Sequence, residues 1–284
     1  MIRDFLNLKY GKYVTDKLLS IDNRVLLDNV NKDGLEQQAE VFKHITSLKD
    51  SEGNKLLPEK FLQKKVEWGV DFSSWLGTLD HKKDFLFIGA EPHVDKNYQL
   101  VYDFGSHMDN TIEESAMIHF ERSNDIWSYL TKIFVADLKP NSITSFLSKC
   151  YITDLSHIVP KRCGQVDDIC DKLGIEEKDW FSFRTSIAKT FLPLEIRAVN
   201  PKYIILHGNA SRHFFQNIFG VKYKSSDYIE GTRNLKILSG EFEGYKIVSI
   251  PHLKGDMRNK LWKCKKDPRR PDSAKQILNQ LINF

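Results

Sequence analysis

Four short apolar runs, Phe85–Gly89, Tyr151–Leu155, Tyr203–Gly208 and Lys246–Ile250, are separated by stretches of helical periodicity, and this alternation limits the possible folds more than any other feature of the chain. A strand with one face in water alternates apolar and polar residues. These runs are nearly continuous in apolar residues, the pattern of strands covered on both faces of a parallel sheet. Asn124–Asp137, Ser182–Val199, Ser211–Phe219 and Ser273–Phe284 have the amphipathic spacing of covering helices. The expected fold is α/β: doubly wound, with a mainly parallel central sheet flanked by helices.

Residues 1–80 read differently. They are polar, with helical apolar spacing over Leu35–Lys49 and Pro58–Trp75, and the run Asp50-Ser-Glu-Gly-Asn54 makes a loop between them. The expected organisation is an N-terminal helical extension over 1–83 and an α/β domain over 84–284. Gly220–Gly244 is turn-rich and reads as a surface loop or a hairpin.

A chain of 284 residues, 41% of them hydrophobic, can bury a sizeable core. No stretch approaches the roughly 20 apolar residues of a membrane span, and Met1-Ile-Arg-Asp-Phe5 has no signal-peptide character. Cytoplasmic location without membrane association is the expectation. The four cysteines, Cys150, Cys163, Cys170 and Cys264, form no CxxC pair and have no histidine at finger spacing, which argues against a metal site.

The net charge of +4 is unevenly spread. Leu253–Arg270 carries eight Lys or Arg, at 254, 258, 260, 263, 265, 266, 269 and 270, against Asp256 and Asp267, and leaves the rest of the chain slightly acidic. With Trp262 inside it, this strip suits a polyanion such as nucleic acid; a solvated helix face is the alternative.

The apolar run Phe85–Gly89 empties into Gly89-Ala-Glu-Pro-His93, which presents one carboxylate where a strand ends. Ligands of open α/β sheets bind outside such carboxyl ends. Glu91 could also serve merely as a helix cap, and His252, next to Pro251, could be an ordinary loop histidine. Order along the chain distinguishes these readings. Gly89-Ala-Glu-Pro-His93 is followed by Phe104 within Val101-Tyr-Asp-Phe-Gly-Ser106, then by Cys150-Tyr-Ile-Thr-Asp154, by Asn200-Pro-Lys-Tyr-Ile-Ile-Leu-His-Gly-Asn209, and by Ile250-Pro-His-Leu-Lys-Gly255.

In that order the segments resemble the uracil-DNA glycosylase superfamily over about 84–284. The resemblance implies a DNA glycosylase that needs no cofactor or metal. Glu91 matches the residue of the water-activating motif, and Phe104 matches the aromatic that stacks on the flipped base. Asp154 lies where an Asn reads the base edge, and His252 lies in the loop after the last strand. Lys254, Arg258, Lys260, Lys263, Lys265 and Lys266 would grip DNA, duplex or single-stranded, with Leu253, Met257 or Leu261 as the wedge. The N-terminal cysteine pair of the iron–sulfur branch is absent.

The chemistry makes the same demands. Cleavage of an N-glycosidic bond passes through an oxocarbenium-like sugar, which needs a carboxylate to stabilise positive charge and orient water, and a donor for the charge growing on the departing base. Glu91 and His252 suit these roles. Extruding the nucleotide also calls for an aromatic platform, edge-reading groups and a cationic surface.

Two departures from the family pattern bear on the substrate. Asp154 replaces an Asn that both donates and accepts, and an ionised carboxylate only accepts, which suits the amino group of cytosine better than uracil. His93 stands where uracil enzymes carry a Tyr that blocks the 5-position. Together they point to a modified cytosine, such as a 5-hydroxymethyl or glucosylated base in phage DNA, and to antiviral defence. The alternative function is a catalytically inactive module of the same fold that binds damaged, modified or single-stranded DNA.

Overall fold

A computed structural model describes residues 2–12, 15, 43–44, 46–50, 52–62, 68–70, 83–90, 140–155, 158–160, 166–228 and 236–250. The chain divides into two compact units, one formed by 1–75, 91–109 and 154–199, the other by 76–90, 110–153 and 200–284. The expected helices Asn124–Asp137 and Ser273–Phe284 lie outside the described residues.

In the first unit, helix α1 (Ile2–Tyr10) buries Phe5, Leu6 and Lys9, one stripe at helical spacing, and packs on a long helix farther along the chain. Near residue 60 there is a single helical turn, α2 (Glu59–Leu62), and then the strand β1 (Trp68–Val70). The helix expected over Pro58–Trp75 is therefore helical at Glu59–Leu62 and extended at Trp68–Val70. The reason is long-range: β1 pairs antiparallel with Ile158–Pro160, which supplies backbone partners that local spacing cannot reveal.

Helix α3 (Pro140–Ser148) belongs to the second unit; in the first, α4 (Val166–Leu173) buries Ile169 and Leu173 and leads into α5 (Glu177–Val199), the helix that receives α1. Helix α5 starts five residues before the expected Ser182, with Glu177 and Asp179 in its first turn, where carboxylates favour the helix dipole. Trp180, Phe183, Ile187, Phe191 and Ile196 line its buried side. The Phe61 ring meets the Phe183 ring edge-on at 5.2 Å. The Lys9 ammonium faces the Glu195 carboxylate at 3.1 Å, and both side chains are buried.

In the second unit, six strands form one mixed sheet: β2 (Phe85–Gly89), β3 (Cys150–Asp154), β5 (Tyr203–His207), β6 (Lys224–Tyr228), β7 (Lys236–Phe242) and β8 (Tyr245–Ile250). The intervening β4 (Ile158–Pro160) pairs with β1 instead. The sheet order is β3-β2-β5-β8-β7-β6. Strands β2, β5 and β8 run parallel, with Phe85 beside Tyr203 and Tyr203 beside Lys246. The N–H groups of Asp84 and Phe85 both donate to the Lys149 carbonyl, so β2 and β3 begin side by side. All four expected strands are present, each within a residue of its expected bounds. Phe85–Ile88 and Tyr203–Leu206 are buried throughout, as continuous apolar runs require.

The turn-rich stretch Gly220–Gly244 extends the sheet as the antiparallel strands β6 and β7. Glu243 and Gly244, both at positive φ, form the two-residue turn between β7 and β8, the backbone that matches the twist of a tight hairpin. Rings of Phe215, Phe219 and Phe242 cluster at 4.8–5.7 Å and hold this addition to α6 (Asn209–Ile218), which packs on β5 and β2. The sheet is therefore α/β with a parallel centre, and its β8-side edge is antiparallel. No helix among the described residues is long and apolar enough to cross a membrane.

Candidate functional site

The carboxyl ends of β2, β5 and β8 lie at one edge of the sheet. Register aligns Ile88 with Leu206 and His207 with Ile250, so the three strands finish level. Strand β2 ends at Gly89, Ala90 follows, and Glu91 is the next residue. Strand β8 ends at Ile250, two residues before His252. Neighbouring strands are about 4.8 Å apart, which puts the main chains leading to Glu91 and to His252 roughly 10 Å apart on either side of β5.

Between them the backbone is tightly specified. Gly208 has φ 87° and ψ 172°, a region open essentially only to glycine. This conformation turns the chain directly from β5 into α6. The Gly208 N–H donates to the Ile250 carbonyl at 3.0 Å, which fastens the turn to the end of β8. The Ser211 hydroxyl donates to the His207 carbonyl at 2.9 Å, and its side chain is fully buried beneath the turn.

The first turn of α6 has no side-chain cap and no acidic residue, and Asn209 and Ala210 are exposed. The positive end of its dipole therefore lies at the carboxyl edge, a polarity suited to anions. Arg212, half-buried in the same helix, adds positive charge.

Among the residues expected to act, Asp154 is described: it is the last residue of β3 and is half-buried after four buried positions. Glu91, His93, Phe104, His252, Lys254, Arg258, Lys260, Lys263, Lys265 and Lys266 lie outside the described residues. The parallel strands that precede Glu91 and His252 reach the same edge. Gly208 lies inside the Asn200–Asn209 segment, and its role becomes legible only from a backbone angle that a sequence does not display.

At the amino edge of the sheet, the buried Lys83 donates to the Ser148 carbonyl at 3.1 Å. Cys150 is buried beside it, and its thiol donates to the Phe146 carbonyl at 3.2 Å. Burial pushes this thiol well above its ordinary range, against the opposing pull of Lys83, so it is an inert packing group. Among the described residues, no three His, Cys, Asp or Glu side chains are grouped so as to hold a metal ion. No protein-family model matches the chain, and no curated protein does.

Proposed function

We propose that the chain is a monofunctional DNA glycosylase of the uracil-DNA glycosylase superfamily, which extrudes a base, hydrolyses its N-glycosidic bond and leaves an abasic site. One observation carries this reading: β2 and β8 end level on either side of β5, so the segments bearing Glu91 and His252 start at the same edge of one sheet. Segments leaving strand ends roughly 10 Å apart suit two groups that act on one bond from opposite sides. Glu91 stabilises the oxocarbenium-like sugar and orients water, and His252 donates to the departing base.

Asp154, at the end of β3, reads the base edge and favours the amino group of a cytosine-type base. Phe104 stacks on the extruded ring, His93 lies by the 5-position, and the basic strip from Lys254 grips phosphates. The substrate class this combination fits best is a modified cytosine in phage DNA, and the sheet is then doubly wound, as in the family.

Mass analysis of the products tests the proposal. Incubation with DNA containing uracil, cytosine, 5-hydroxymethylcytosine or its glucosylated form should release one free base and leave an abasic strand. Stable binding with no base released would favour the inactive, DNA-reading alternative.

A further inference from the structure

We draw no further inference here: the strongest candidate, the row of exposed lysines that Lys149, Lys202 and Lys246 form at the amino edge of the sheet, carries no anion site, because Lys149 faces Asp84 at 3.8 Å and Lys246 stands opposite Glu241 of β7, which offsets two of the three charges.

Discussion

The N–H of Gly208 donates to the carbonyl of Ile250 at 3.0 Å, joining the end of the central strand β5 to the end of β8. This bond depends on a backbone angle that only glycine adopts without strain. Gly208→Ala should therefore cost about 1–3 kcal/mol. It should also loosen the carboxyl edge. Urea unfolding measures the first effect, and faster amide exchange at Gly208 and its neighbours measures the second.

The buried pair Lys9–Glu195 fastens α1 to α5 at 3.1 Å. Removing one charge leaves the other desolvated, so Glu195→Gln should destabilise the protein by about 3 kcal/mol or more. The double variant Lys9→Met with Glu195→Leu should lie much closer to wild type, because it buries no charge. Chemical denaturation of the two variants distinguishes a lost ion pair from lost packing.

Cys150 and Cys170 should differ in reactivity. Burial holds the Cys150 thiol well above its ordinary pKa of 9.0, against the pull of Lys83 and Lys149. Cys170 is partly exposed. Alkylation of the native protein near pH 8, followed by peptide mass analysis, should label Cys170 and spare Cys150 until the protein is unfolded.

Asp154 ends β3 half-buried, the position proposed to read the base. Asp154→Asn restores a group that both donates and accepts. Its cleavage should shift from cytosine-type bases towards uracil by about 10-fold or more. Parallel assays on matched oligonucleotides check this, and an unchanged preference would remove Asp154 from specificity.

The parallel centre of the sheet was legible because Phe85–Gly89, Tyr203–His207 and their partners are continuous apolar runs bounded by turns, a local signal that burial on both faces imposes. Strand β6, Lys224-Ser-Ser-Asp-Tyr228, has no such run: it is an edge strand held by pairing to β7. Strand β1 misled for a related reason, since Trp68–Val70 obtains its partners from Ile158–Pro160, some 90 residues away. At the site, the strand ends that precede Glu91 and His252 could be read from the motifs. The level register of β2, β5 and β8, with β5 in the middle, could not, because strand order is a property of the whole sheet.

The most direct test of the central claim is an abasic-site assay comparing the wild type with Glu91→Gln on matched duplex and single-stranded oligonucleotides containing uracil, cytosine, 5-hydroxymethylcytosine or its glucosylated form. Strand scission after alkali, confined to a cytosine-type base and reduced about 10³-fold or more in the variant while DNA binding persists, is the predicted result. Equal scission by both proteins, or none by either, would contradict it.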